Sequence, residues 1–378
     1  MPAKKKSSNS SLWLLILFAA SVFTFLVRRS FTGGPLCSAA IAVLGTLVFT
    51  LLARSVLYDD KKMLFAGIVL LTMHGFLVLG RSSDYIPMAL GVLMALAAGL
   101  FYIIAFGGKS KGSSGLLILG GVTAGASFCV GGFPTLAGIV LPLLLAYLLV
   151  WRPSLKGRIW TLLLSLVAGF GLFVLYGVWL HYFEGLSFKN ILSLRAFAPA
   201  SLSWNSLVSM ARSLGVWTVP AVVALLAPLY SAPERSSVEY RFFAVWMLFA
   251  LVATPFFPFA AGGASSVAIL FPAALMIGYT SLRWDGTTSK KGDTIGVMNA
   301  VNAVALSAAV LFLSVRLWYY HSAVLSVATI GILGVSAVAV AVYIFSSIFR
   351  RGASDNVVGI GLFALITEIL LQPALWLL

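Results

Sequence analysis

Stretches of about 20 mostly apolar residues follow one another along nearly the whole chain, and about 20 such residues in a helix cross the hydrocarbon of a bilayer. Lipid offers the backbone no hydrogen-bond partners, so a spanning segment must satisfy its own N–H and C=O groups. With that ruler the sequence divides into spans at 12–27, 37–57, 63–80, 85–106, 115–129, 133–151, 159–181, 207–230, 241–260, 264–282, 295–315, 322–349 and 356–377. The fifth and sixth are separated only by the Gly131-Gly132-Phe133-Pro134 break. The runs are continuous rather than alternating, which excludes a transmembrane β-barrel. Composition agrees: 61% of the 378 residues are hydrophobic and 9% charged, against roughly 25% charged in a soluble domain. The expected fold class is all-α, a polytopic transmembrane bundle of about thirteen helices.

The formal net charge of +15 is not a nucleic-acid signal, because the cations are scattered in short connections between apolar segments. That is how topology is encoded by positive cytoplasmic loops. With the N-terminus inside, the inner loops hold Lys4 to Lys6, Arg54, Lys61, Lys62, Lys109, Lys111, Arg152, Lys156, Arg158, Arg235, Arg241, Arg283, Lys290, Lys291, Arg350 and Arg351. The outer connections hold only Arg28, Arg29, Arg81, Lys189, Arg195, Arg212 and Arg316. Residues 1–11 read as a basic cytoplasmic tail before an uncleaved first helix. Cys37 and Cys129 are the two cysteines, without metal-ligand spacing. Only one outer segment has length, residues 181–206, and no internal repeat is visible.

From Leu51 the chain runs LLARSVLYDDKKMLFAGIVLLTMHGFLVLGRSSDYIPMALGVLMAL: an apolar helix, a basic inner turn, a helix ending outside at Arg81-Ser82-Ser83-Asp84-Tyr85-Ile86-Pro87-Met88, and a further helix. Residues 116–158, LLILGGVTAGASFCVGGFPTLAGIVLPLLLAYLLVWRPSLKGR, give a helix, a Gly-Pro break, a Leu-Pro-rich helix and a basic loop. Phe243 to Leu275 give paired helices about an outer turn. This order resembles GT-C glycosyltransferases of the protein O-mannosyltransferase and aminoarabinose-transferase type, over most of residues 37–283. The resemblance implies thirteen helices with the N-terminus inside, a GT-C-like core over 12–283 and further C-terminal helices over 284–378. It also implies sugar transfer from a polyprenyl-phosphate donor to a lipid or protein acceptor, with membrane lipid as surroundings and the bacterial cytoplasmic membrane as location. Two places depart from the family. Its long first outer loop with an acidic motif is here Arg28 to Leu36, RRSFTGGPL, without an acid, and its later outer turn is here Ala260-Ala261-Gly262-Gly263, without a charge.

Such a reaction needs a carboxylate to take the acceptor's proton and cations, or a divalent metal, to steady the departing phosphate. By the loop assignment only Asp84 and Glu184 supply outer carboxylates. Asp84, three residues after Arg81, matches the family's second acidic position, and it equally suits a helix cap before Tyr85-Ile86-Pro87. Glu184 follows His181 and Tyr182, which also suit an aromatic belt at the interface. Lys189, Arg195 and Arg212 run against the positive-inside trend and fit a lipid phosphate; as structural residues they would snorkel and pin an interfacial helix. Arg81 stands near the phosphate in the enzyme reading and is a plain surface partner if Asp84 is only a cap. His74 and Glu368 fall inside spans. His74 reads best as a hydrogen-bonded packing residue, and Glu368 is the residue a proton-coupled transporter would use. Gly107-Gly108-Lys109-Ser110 imitates a phosphate loop, but Ile103 stands where its first glycine is needed. The sequon Asn9-Ser10-Ser11 lies on the inner side.

Two alternatives stay open beside the enzyme. One is a non-catalytic relative of the same fold that binds lipid-linked glycan or a partner. The other is a transporter or flippase, which predicts paired broken helices and a water-filled cavity near Glu368 or His74.

Overall fold

A computed structural model describes residues 10–27, 36–106, 119–123, 125–127, 129, 141–150, 159–185, 187, 204–256, 264–285, 294–321, 327–350 and 352–370. Among these residues there are helices and no strands. In chain order the helices are α1 (Ser10–Val22), running into a π-helical turn (Phe23–Val27), α2 (Leu36–Leu57), α3 (Asp60–Thr72), α4 (His74–Arg81) and α5 (Ile86–Phe106). An unlabelled helical stretch lies within 119–129. Then come α6 (Leu141–Leu149), α7 (Ile159–Glu184), α8 (Trp204–Leu214), a 3₁₀ turn (Gly215–Trp217), α9 (Thr218–Tyr230), α10 (Ala232–Ser236) and α11 (Val238–Phe256). The chain finishes with α12 (Ala264–Arg283), α13 (Thr294–His321), α14 (Val327–Arg350) and α15 (Ala353–Leu370). Each of the thirteen apolar segments therefore carries helix. Four described helices, 36–57, 207–230, 294–319 and 327–350, are each long and apolar enough to cross a bilayer, and the bent pair α3–α4 makes a fifth. The protein is a multi-pass integral membrane protein.

The core is built around α12. Every described side chain on it from Val267 to Ser281 is buried, as expected of a helix apolar on all faces. It packs against α3, α5, α9 and α11. Gly278 permits its closest approach, because a Cβ there would lie 2.7 Å from the Ala66 backbone nitrogen of α3. Phe271 of α12 meets Phe49 of α2 and Phe76 of α4 at ring-centroid distances of 5.7 and 6.4 Å, and Phe76 meets Phe25 of the π turn at 5.7 Å. Aromatic contacts thus tie four elements into one centre.

Two spans are interrupted. The single span expected at 63–80 is two helices bent by 62°, with Met73 extended between them (φ −70°, ψ 128°). The span 207–230 contains the 3₁₀ turn, opened by Gly215 at φ +60°. The two breaks face each other. A Cβ on Gly75 would lie 2.9 Å from the Ser213 Cβ and 3.1 Å from its carbonyl oxygen, and a Cβ on Gly215 would lie 3.1 Å from the His74 Cβ. Trp217 crosses the gap and donates its indole N–H to Thr72 Oγ1 at 2.9 Å. Small residues let the backbones approach, and polar side chains join them, as is common between membrane helices.

A third irregularity is resolved locally. Pro228 inside α9 has no N–H for the carbonyl four residues earlier. That carbonyl, of Ala224, is taken by the Tyr240 hydroxyl of α11. Arg235 caps the end of the same helix, donating from Nε to the Pro228 carbonyl at 2.8 Å and from Nη2 to the Leu229 carbonyl at 3.0 Å.

Candidate functional site

Among the described residues, two groups of charged side chains stand out. At the end assigned to the inside, Arg283 at the close of α12 pairs through Nε with Glu234 of α10 at 3.1 Å. Glu234 is 1% exposed and also accepts from the Ser231 hydroxyl. Lys62 of α3 sits 4.6 Å over the Tyr279 ring, and the Arg283 guanidinium lies 5.4 Å from that ring. Burial pushes the Lys62 amine below the ordinary lysine range and Arg283 pushes the same way, against the pull of Asp59 and the acids of α10 and α11. Three loops far apart in sequence share this cluster.

At the opposite end the Arg81–Asp84 turn connects α4 to α5. Ser38 of α2 donates to the Ser82 carbonyl at 2.6 Å and holds the turn in place. The Asp84 N–H donates to Ser82 Oγ at 3.1 Å, and Asp84 Oδ1 accepts from the Ile86 N–H at 3.0 Å. Asp84 is therefore a helix-capping aspartate. Its Oδ2 has no hydrogen-bond partner among the described residues, and the side chain is half-buried rather than lost in solvent. Arg81 is half-buried and engaged within the chain.

Helix α8 packs directly on α4 and brings Arg212 to the crossing of the two breaks. Arg212 and Arg316 of α13 both lie within electrostatic reach of His74, and both are exposed. The sequence marked Arg212 as a phosphate residue and His74 as packing. The fold brings His74 within electrostatic reach of Arg212 and also of Arg316, which had passed as an ordinary outer loop charge. Only the discontinuity of two helices reveals that grouping.

The other acid, Glu184, is exposed at the end of α7. The edge of the His181 ring meets Tyr182 at 5.3 Å, while Tyr176, Trp179 and Phe183 stack along α7 at 6.2 and 6.0 Å. That ladder has the form of an interfacial aromatic belt. No hydrogen bond or ion pair among the described residues joins Glu184 to Asp84. Lys189 and Arg195 lie outside the described residues, as does the side chain of Glu368. Among the described residues no group of three or more His, Cys, Asp and Glu is placed to hold a metal ion. Discontinuous helices are what the transporter reading requires, and among the described residues one bent pair, α3–α4, is present. One polar cavity among the described residues is lined by other side chains than His74.

No protein-family model matches the chain, and no curated protein matches it. Its fold is nevertheless found among solved structures. ArnT from Cupriavidus metallidurans in the apo state superposes with a TM-score of 0.61 at 16% identity, covering 96% of this chain and 65% of that one. ArnT bound to undecaprenyl phosphate superposes with a TM-score of 0.61 at 15% identity, covering 94% of this chain and 66% of that one. This chain thus spans slightly less than two thirds of the length of the ArnT chains it matches, and what it shares with them is the polytopic helical fold of the GT-C type.

Proposed function

We propose that this protein is a GT-C-type membrane glycosyltransferase. It moves a sugar from a polyprenyl-phosphate donor to a lipid or protein acceptor at the outer face of a bacterial cytoplasmic membrane. The observation that carries this reading is the ArnT-like fold over nearly the whole chain, together with the undecaprenyl phosphate bound by one of those structures. In this reading Asp84 Oδ2 takes the proton of the acceptor hydroxyl or amine while that atom bonds to the sugar's anomeric carbon. The bond from that carbon to the phosphate oxygen breaks, and the phosphate leaves with its negative charge. Arg81 and Arg212 meet that charge, with Arg316 and His74 beside them, and Lys189, Arg195, His181 and Glu184 complete the site from the 181–206 segment. Guanidinium forks suit phosphate oxygens, and charge-assisted bonds of this kind are the strong ones.

A second reading has its own observation. Asp84 Oδ1 is committed to capping α5, and the first outer connection carries no acid. A chain whose Asp84 is half-committed in this way suits a non-catalytic relative that binds lipid-linked glycan. One experiment separates the two. Purified protein is assayed with polyprenyl-phosphate-linked pentose and hexose donors, and Asp84→Asn is compared with the parent. Asparagine keeps the capping oxygen, so the fold is retained. Transfer should fall by about 10²–10⁴-fold if Asp84 is the base. Unchanged turnover in Asp84→Asn removes it from the chemistry. Co-purified polyprenyl phosphate with no transfer from any donor favours the binding protein.

A further inference from the structure

At the end of the bundle assigned to the inside, the short helix α10 turns the corner between α9 and α11. Two arginines pin that corner. Arg235 donates from Nε to the Pro228 carbonyl at 2.8 Å and from Nη2 to the Leu229 carbonyl at 3.0 Å. Arg241 donates from Nε to the Arg235 carbonyl at 2.7 Å. Both side chains are exposed. A guanidinium has donors on every nitrogen, and these bonds use only part of the set. Nη1 of Arg235 and both Nη atoms of Arg241 have no partner among the described residues. The backbone therefore holds the two groups in place while their outer N–H edges stay open.

The acids of the same two helices do not neutralise them. Glu234 is buried against Arg283 and Ser231, and Glu239 accepts from the Ser237 hydroxyl at 2.7 Å. Neither Arg235 nor Arg241 has an ion-pair partner among the described residues. Two positive groups are thus left without a counter-charge at one corner. The surface that leads to them is apolar. On α11, Leu248 and Val252 stand two and three turns beyond Arg241 on its own helix face, and both are exposed. On α9, Leu226 and Leu229 are exposed just before the corner. An open face of this kind, capped at one end by paired cations, matches a molecule with an apolar body and an anionic head.

We propose that Arg235 and Arg241 bind the phosphate headgroup of an anionic phospholipid in the leaflet at this end, with its acyl chains along the exposed faces of α9 and α11. Guanidinium forks match phosphate oxygens, and hydrogen bonds between ionised groups are the strong ones. Basic pockets between membrane helices suit anionic headgroups in the same way. A zwitterionic lipid brings a cation of its own to the corner, so net charge sets the selectivity. The bound lipid links the start of α11 to the end of α9 across α10. The proposal is independent of sugar transfer and of Asp84.

The test is native mass spectrometry of the purified full-length protein in detergent, titrated with phosphatidylglycerol or with phosphatidylcholine of the same acyl chains. The parent should take up phosphatidylglycerol at least about tenfold more tightly than phosphatidylcholine. Arg241→Gln, which leaves both bonds from Arg235 to the end of α9 in place, should remove most of that preference. Arg350→Gln deletes an exposed cation at the end of α14 and should leave the preference intact. Equal affinity of the parent for the two lipids overturns the proposal, and that result needs no variant to fold. A preference of full strength in Arg241→Gln overturns it equally, because the headgroup would then lie elsewhere. The same loss in Arg350→Gln as in Arg241→Gln also overturns it, since net charge rather than this corner would be selecting the lipid.

Discussion

Trp217 and Thr72, 145 positions apart, are joined by a 2.9 Å hydrogen bond from the indole N–H to the threonine hydroxyl oxygen. Thr72 is the last residue of α3 and passes its own proton back to the Ile68 carbonyl at 2.8 Å. The bond thus fastens the 62° bend at Met73 to the 3₁₀ turn that interrupts the neighbouring span. Trp217→Phe keeps the aromatic bulk and deletes the donor, and Thr72→Val deletes the acceptor. Each should cost about 1 kcal/mol. The double variant should cost little more than either single one, since both remove the same bond. Thermal unfolding of the four proteins in one detergent provides the cycle, and strict additivity would show that the two residues act separately.

Glu234 is an acid that the bundle buries almost completely, and Arg283 is its ion-pair partner. Removal of one member of a buried pair leaves an uncompensated charge, at a cost of about 3–5 kcal/mol. Arg283→Met should therefore reduce the yield of folded protein sharply. Arg283→Met combined with Glu234→Gln should recover much of it, because the stranded charge is gone. Monodispersity after extraction is a direct readout, and a harmless single variant would contradict the pairing.

Asp84 makes a separate prediction about stability. Asp84→Ala removes the cap of α5 and should cost about 1 kcal/mol. Asp84→Asn, which keeps the acceptor oxygen, should melt with the parent. Equal losses in both would mean that the negative charge itself, rather than the hydrogen bond to the Ile86 N–H, holds the turn.

Lys62 carries the pH dependence at the opposite end. Its folded pKa is lowered, chiefly by burial, so the native state releases the proton before the unfolded chain does. Between the lowered value and the ordinary 10.5 the unfolded state binds more protons, and stability should rise with pH across that window. Below it the charged amine is a constant liability. Lys62→Met should flatten the alkaline rise, as measured by melting midpoints across an alkaline series. A rise that survives the substitution assigns it to another group.

The helices were legible in the sequence because hydropathy alone decides which segments a bilayer accepts, and each of the thirteen apolar stretches carries helix. The interruption at Met73 was not legible. No proline marks it, and the residues that meet it, Ser213, Gly215 and Trp217, stand more than 130 positions away. Asp84 showed its capping role because the signal is local: an aspartate just before Ile86-Pro87. The grouping of Arg212, Arg316 and His74 left no such local trace, since three separate helices contribute to it. Glu234 passed unnoticed for a related reason, standing beside Arg235 in what reads as a solvated loop. Only the packing of α10 under Arg283 takes it out of water.

The wrapping of α12 has a mechanical consequence. A helix enclosed by protein along its length never meets an acyl chain, so bilayer thickness cannot act on it directly. α13 and α14 are different: only 33% and 28% of their apolar windows are buried, and most of their surface faces outward. Hydrophobic mismatch is absorbed by tilt of lipid-facing helices, so a thinner or thicker membrane would lean on this outer pair while the central helix keeps its place. Strain from the surrounding lipid would then concentrate where α13 meets α9 and α15.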